Sequence, residues 1–178
     1  MNILLQFKFK KMIKQLLFCT FLLSVNAVSS IAQVNFTSSN LPIFIINTNN
    51  TIVDEPKILA DLKVISNNNG QRNYVSDAAT DYNWRIGIEL RGQTSQSIFD
   101  KKSYAFETWD LNNDDLSVPL LGFPKESDWI LHGAFSDKTM IRNVLIYELS
   151  NQIGMYASRT KYCELVLNGE YQGVYVLF

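Results

Sequence analysis

The chain has 178 residues, of which 47% are apolar and 19% are charged, a composition typical of one globular domain. Four of its 16 Lys and Arg lie in the first 32 residues, whereas all 17 Asp and Glu lie beyond them. The chain from residue 33 onward therefore carries a net charge of about −5, which argues against nucleic acid as a partner. A single histidine without a His/Cys cluster argues against a zinc site.

Residues 1–32 are predicted to be a signal peptide. Lysines between Lys8 and Lys14 form a basic region, and the apolar stretch 16–28 is too short to span a bilayer. Ser30-Ile-Ala32 resembles a cleavage site, so we expect the exported chain to begin at Gln33. These features predict a secreted or cell-surface protein without a transmembrane span after cleavage, with residues 33–40 as a linker.

Strands are predicted in the first two thirds of the chain. The apolar run 41–47 and the alternating run 57–66 each predict a strand, and a turn at 67–70 and a polar connection at 71–83 follow. Two further strands are expected at 84–90 and 101–109. They flank a loop rich in glycine and serine.

One helix is predicted at 136–154, with Ser136 or Asp137 as its cap and Gly154 just past its end. Apolar residues recur on one face at helical spacing, and Glu148 lies on that same face. A buried carboxylate must be paired. Glu148 therefore either reaches solvent at the edge of the face or pairs with a lysine of the facing sheet.

A closing hairpin is predicted around Asn168-Gly169, between apolar runs at 164–168 and 173–178. The sequence ends within the second apolar run. We therefore expect the chain to be a piece of a longer protein.

The segment from Arg91 to Tyr104 has the pattern of a phosphate-binding loop: a strand, a glycine/serine turn, and two lysines that open the return strand. Backbone N–H groups in such a turn can point at an anion, and a lysine can supply the opposite charge. Two alternatives remain open. Lys101 and Lys102 could be solvated charges on an edge strand, and Arg91 could pair with Glu89 or Asp100.

Four motifs occur in order: Arg91-Gly-x-x-Ser before Lys101-Lys-Ser-Tyr, Leu121-Gly-Phe-Pro before Asp128-Trp, Asp137-Lys before Arg142-Asn, and Asn168-Gly-x-Tyr-x-Gly-Val-Tyr. Over about 41–178, this chain resembles the spore-coat protein H (CotH) kinase family. The resemblance implies an α+β fold, in which one main helix packs on an antiparallel sheet. Such a fold would be the small N-terminal lobe of an atypical protein kinase, with its domain incomplete.

The resemblance also implies roles for individual residues. The residues expected to contact the ATP phosphates are Arg91, Gly92, Thr94, Ser95, Lys101 and Lys102. Lys101, Lys102 and Glu148 are the expected catalytic residues, and Glu148 would lie within about 4 Å of one of the two lysines. Only one lysine can face the cleft, and the small neighbours of Lys101 favour it slightly. The Mg²⁺ ligands are expected beyond Phe178.

The implied activity is transfer of phosphate from ATP to protein hydroxyl groups, so ATP and a protein substrate are the expected partners. Residues 1–178 would be inactive by themselves. The alternative is a non-catalytic secreted scaffold, adhesin or coat-assembly module. A carbohydrate-binding module, suggested by Trp84, Trp109, Trp129 and eight tyrosines, has weaker support because these residues form no repeated platform.

Overall fold

The computed structural model describes residues 12–15 and 34–178. The chain divides into two compact units, 1–34 and 35–178. Of the first unit, residues 12–15 are helical; the rest of the predicted signal peptide and its cleavage site lie outside the described residues. In the described ranges, no helix has the length and apolar character needed to cross a membrane.

Residues 34–178 form nine strands and two helices. The strands are β1 (Ser38–Ser39), β2 (Ile43–Asn47), β3 (Ile58–Ile65), β4 (Asn73–Tyr74), β5 (Tyr82–Arg91), β6 (Ser103–Thr108), β7 (Asp128–His132), β8 (Lys161–Leu167) and β9 (Glu170–Leu177). The helices are α1 (Thr94–Ile98) and α2 (Arg142–Gln152). The predicted strands at 41–47, 57–66, 84–90 and 101–109 and the closing hairpin are confirmed. β1, β4 and β7 were not predicted.

Seven strands form a closed barrel in the order β2-β3-β5-β6-β7-β9-β8. Neighbours are antiparallel except β2 and β8, which run parallel with Ile43 opposite Glu164 and Ile46 opposite Leu167. This parallel pair closes the barrel. The predicted α+β fold, an antiparallel sheet with one helix packed on it, is therefore wrong: the chain is mostly β, with small helices.

The barrel interior is filled by side chains from alternate strand positions, as expected for a small barrel. Phe44, Phe106 and Tyr175 are its largest fully buried side chains. Leucine and isoleucine from β3, β5, β7 and β8 surround them. Because strand residues fill this space, the barrel does not need a helix to cover an open face.

A second, smaller core lies on the outer face of β2, β3 and β8. Ile43, Ile65 and Val166 are buried there. The ring of Phe36, from the segment before β1, stacks on Tyr171 with 4.2 Å between ring centroids. This packing attaches the segment around Phe36 to the barrel wall.

Helix α2 differs from its prediction in length and packing. It begins at Arg142, six residues after Ser136, because 136–140 form turns and Asp137 Oδ2 accepts a hydrogen bond from the Arg142 N–H at 3.0 Å. Gly154 follows the helix with φ +81°, which confirms its predicted position. None of the helical residues is buried, and Leu145 is 52% exposed. The expectation that its apolar face packs on the sheet is wrong.

Candidate functional site

Three strand ends meet at one end of the barrel, which we call the loop end. β5 ends there at Arg91, β6 begins at Ser103 opposite Arg91, and β7 ends at His132. The predicted phosphate loop leaves and re-enters the barrel at this end. The first half of β9 also extends beyond the end of β7 here. His132, the last residue of β7, pairs with Val176, which lies near the end of β9.

The loop opens with Gly92, whose φ of +115° strongly favours glycine. A Cβ at this position would also collide with Ser95 Oγ. The helical turn α1 fills the middle of the loop. Gly92 and Thr94 are exposed and Ser95 is half-buried. The loop therefore presents backbone and hydroxyl groups to solvent at the barrel end.

Lys102 holds this loop in shape. Its Nζ donates to the carbonyl oxygens of Gln96 and Phe99, at 2.7 and 2.6 Å. Both acceptors lie at the end of α1, where helix carbonyls lack partners of their own. Lys102 is thus engaged within the loop, and the alternative of a freely solvated charge on an edge strand does not apply to it.

Lys101 extends instead to the start of β9. Its Nζ donates to the carbonyl oxygen of Val174 at 2.6 Å and lies 4.4 Å from the centroid of the Tyr175 ring. A Cβ built on Gly173 would come 3.4 Å from this Nζ. Gly173 therefore lies directly beside the ammonium group, and its φ of +89° favours glycine. A closed barrel leaves these lysines no edge strand to protect, so the edge-strand alternative is wrong for Lys101 as well.

Burial lowers the pKa of Lys101, and the ammonium group of Lys138 lowers it further. The carboxylate of Glu164 and the sulfur of Cys163 oppose this change, yet the net effect is a lowered pKa. The protonated form is therefore less stable here than in water. A bound anion would favour that form, because an opposite charge nearby raises the pKa of an amine.

Lys138 belongs to the segment between β7 and α2, and aromatic contacts attach this segment to the loop. The ring of Phe135 stacks on Phe99 with 5.0 Å between centroids, and Lys138 Nζ lies 4.2 Å from the centre of the Phe135 ring. Lys138 is thus held beside the loop. The sequence alone did not place it there.

Arg91 adds a second positive charge at the loop end. It is exposed, and no ion pair joins it to a carboxylate within residues 34–178. The alternative in which Arg91 pairs with Glu89 is wrong, since Glu89 contacts Lys57 at 3.4 Å. We call Arg91, Lys101 and Lys138 the cationic cluster.

His132 lies beside the cationic cluster. Its Nδ1 is 3.5 Å from the hydroxyl of Ser103, and that hydroxyl accepts a hydrogen bond from the Gly133 N–H at 3.0 Å. Burial lowers the pKa of His132, and the charges of Arg91 and Lys101 lower it further, against the carboxylate of Asp137. Arg91 and Lys101 therefore both lie near His132.

Glu148 does not join either lysine. It is exposed and accepts a hydrogen bond from Gln152 Nε2 at 3.1 Å, and no ion pair links it to Lys101 or Lys102 in the described ranges. The predicted contact within 4 Å is wrong. The physical reason is that α2 lies outside a filled barrel, while main-chain carbonyls already bind both lysines. The alternative, a glutamate that reaches solvent, is the one observed.

Glu148 instead lines a cavity of about 860 Å³. Asp128 and Trp129, at the start of β7, and Phe178 also line this cavity. β7 ends at the loop end, so the cavity lies toward the other end of that strand. Burial raises the pKa of Asp128, and the carboxylate of Glu107 adds to this effect. Of the predicted catalytic residues, Lys101 and Lys102 thus lie at the loop end, whereas Glu148 lies at the cavity.

The loop end has the chemistry to bind phosphate but offers no cage of metal ligands. Arginine and lysine form charge-assisted hydrogen bonds with phosphate oxygens. In residues 12–15 and 34–178, no group of three or more His, Cys, Asp or Glu could hold a metal ion. The described residues therefore do not fit a Mg²⁺ site of their own, and ligands beyond Phe178 remain a prediction.

A family model described as CotH kinase protein matches residues 88–178. The match runs from the second half of β5 to the end of β9 and includes the whole loop end. Because it covers just over half of the chain, the chain belongs to the CotH kinase protein family. Among curated proteins, none matches this chain.

Sequence reasoning missed three parts of the loop end: Gly173, Tyr175 and Glu164. A signal for the first was present, because a glycine inside a strand often marks a close approach by another group. Tyr175 has the pattern of an ordinary core residue. The position of Glu164 depends on contacts with Ser39, 125 residues away in sequence, which no local pattern reveals.

Proposed function

We propose that this chain is the nucleotide-binding part of an exported, CotH-type protein kinase that transfers phosphate from ATP to protein hydroxyl groups. The observation that carries this proposal is the cationic cluster beside a glycine-containing loop. Burial lowers the pKa of Lys101 and that of His132, and like charges near each group lower it further. Membership of the family supports a kinase-related role.

Lys101 would contact the phosphates. An ammonium group has three donors, and only one is needed for the carbonyl oxygen of Val174. The other two can donate to phosphate oxygens. Arg91 is exposed and can offer paired N–H groups to a second set of oxygens.

The loop would cover the phosphates with its backbone. Gly92, Thr94 and Ser95 supply N–H groups or hydroxyls at the surface of the barrel end. Lys102 would act as a positioning residue, because its Nζ holds the carbonyl oxygens of Gln96 and Phe99. Glu148 has no part in this arrangement.

Phosphoryl transfer depends mainly on positioning and on charge stabilisation, since the transferred group carries its charge on three oxygens. The cationic cluster would supply the charge stabilisation, and Lys101, held by the carbonyl oxygen of Val174, would help to position the phosphates. ATP would bring Mg²⁺ with it, and the metal would neutralise part of the phosphate charge. Export is proposed from the basic and apolar regions of residues 1–32.

A non-catalytic scaffold, adhesin or coat-assembly role is the second candidate, and one observation favours it. Helix α2 exposes a row of apolar side chains, including Leu145 and Leu149, as surfaces that bind other proteins often do. A scaffold needs no nucleotide. Failure of the native chain to bind ATP would favour this candidate.

The test of the proposed function is the affinity of the chain for ATP with Mg²⁺, measured by isothermal titration calorimetry. Lys101→Met should weaken binding by about tenfold or more, because it removes a charge-assisted hydrogen bond. The long apolar side chain of methionine can still pack against Tyr175.

Lys161→Met is the matched control. Lys161 Nζ also donates to one main-chain carbonyl, that of Leu121, at 2.9 Å. The Leu121 N–H in turn donates to Asp81, which precedes β5 at the end of that strand opposite Arg91. This variant should keep its affinity within about twofold. Equal losses in the two variants, or no binding by the native chain, would contradict the proposal.

A further inference from the structure

Glu164 is a carboxylate in an unusual position. It lies on β8 and is 7% exposed. Ser39 donates its hydroxyl to one carboxylate oxygen at 2.8 Å, and Tyr171 donates its hydroxyl to the other at 2.7 Å. Neither partner is a cation. A buried carboxylate held by two neutral hydroxyls lacks the positive charge that normally offsets its desolvation.

A positive charge lies on the other face of the same hairpin. Glu164 is paired with Val174 between β8 and β9, and the carbonyl oxygen of Val174 is the acceptor for Lys101 Nζ. The neighbouring pair, Cys163 and Tyr175, points into the barrel, where Tyr175 contacts Lys101. The carboxylate and the ammonium group therefore lie on opposite faces, with the Val174 peptide group between them.

We propose that Glu164, and not Glu148, is the carboxylate that supports the ammonium group of Lys101, acting through the β8–β9 hairpin as a positioning residue. This inference rests on the proposed function only in one respect: the proposed function assigns Lys101 to phosphate binding. The arrangement itself is independent of any nucleotide. The surroundings of both groups are largely buried, and opposite charges attract more strongly there than in water.

Other titratable groups also surround Lys101. Lys138 and His132 lie beside it at the loop end, and Cys163 lies inside the barrel. The first two disfavour the positive charge of Lys101 when they are themselves protonated. Burial raises the pKa of the Cys163 thiol, which leaves Glu164 as the carboxylate that acts on Lys101.

The contacts of Glu164 give the N-terminal segment a role at the loop end. Ser39 belongs to β1, and its Oγ also accepts the Leu41 N–H at 3.1 Å. Arg72 Nε donates to the hydroxyl of Ser38 at 2.8 Å, which attaches β1 to the β4 region. Residues 38–41 therefore help to position the carboxylate that supports Lys101.

The experiment follows the titration of Lys101 by NMR of ¹³C- and ¹⁵N-labelled lysine, with Lys101→Met to assign its signal. Glu164→Gln preserves the shape of the side chain but removes its charge. The pKa of Lys101 should fall by about 1 unit in this variant. Glu170→Gln, which removes an exposed carboxylate on the same hairpin, should leave it unchanged.

A second measurement needs no change at Glu164. In the native chain, the Glu164 side-chain ¹³C signal should show a step at the pH where Lys101 loses its proton, and Lys101→Met should abolish that step. No step, an unchanged Lys101 titration in Glu164→Gln, or an equal shift in Glu170→Gln would overturn the inference. Because ATP is absent, a failure of ATP binding leaves this result intact.

Discussion

The positions of the two lysines at the loop end depend on contacts of single residues. Two neighbouring lysines open the same segment, yet Lys102 binds carbonyls of the loop while Lys101 reaches the start of β9. The sequence limited the choice to two lysines. It could not decide between them firmly, because the deciding contacts come from Gly173 and Val174, more than 70 residues later.

Gly173→Ala should lower the free energy of unfolding by about 1–2 kcal/mol because φ is +89°, and its new methyl group should lie against the Lys101 ammonium group, where it hinders a bound phosphate. Gly169→Ala is the matched control, since Gly169 has φ +81° and no atom within 4 Å of a built Cβ. Urea denaturation should show similar losses of stability in the two variants, and ATP affinity should fall in Gly173→Ala alone. If ATP affinity changes equally in the two variants, Gly173 is required only for its backbone conformation and not for phosphate binding beside Lys101.

Among the elements, the strands and α2 were predicted with different success. A continuous apolar run correctly indicated β2, and an alternating run indicated β3. β5 and β6 were predicted as the strands that flank the glycine/serine loop, and Asn168-Gly169 marked the closing hairpin. β7 was missed because its three apolar residues, Trp129 to Leu131, are consecutive and lie between polar ends, which gives no alternation. The apolar spacing of α2 indicated a helix correctly but not its partner, since periodicity identifies an apolar face without showing what covers it.

The exposure of α2 gives a prediction about stability. Leu149 is 45% exposed, whereas Leu165 in β8 is fully buried. Leu149→Ala should change the free energy of unfolding by less than about 0.5 kcal/mol, and Leu165→Ala should lower it by about 2–5 kcal/mol, because the latter leaves a cavity. Urea titrations of the two variants measure the difference. A loss in Leu149→Ala as large as in Leu165→Ala would mean that α2 packs against the barrel in solution.

For the whole molecule, closure of the barrel is the feature that local sequence patterns could not supply. β2 and β8 pair across about 120 residues, and this parallel contact turns the expected open sheet into a closed one. Closure removes the open face on which the helix was expected to pack. It also explains why Glu148 and the lysines do not meet. The position of the glycine/serine loop between β5 and β6 was predictable, because these strands are neighbours in sequence.

The central claim is that a nucleotide binds at the loop end of the barrel. Amide chemical-shift changes on addition of a non-hydrolysable ATP analogue test it most directly. We expect the largest changes in three segments at the loop end: 91–102, 132–138 and 173–175. Changes centred on the cavity beside Asp128 and Glu148, or no changes at saturating nucleotide, would contradict it.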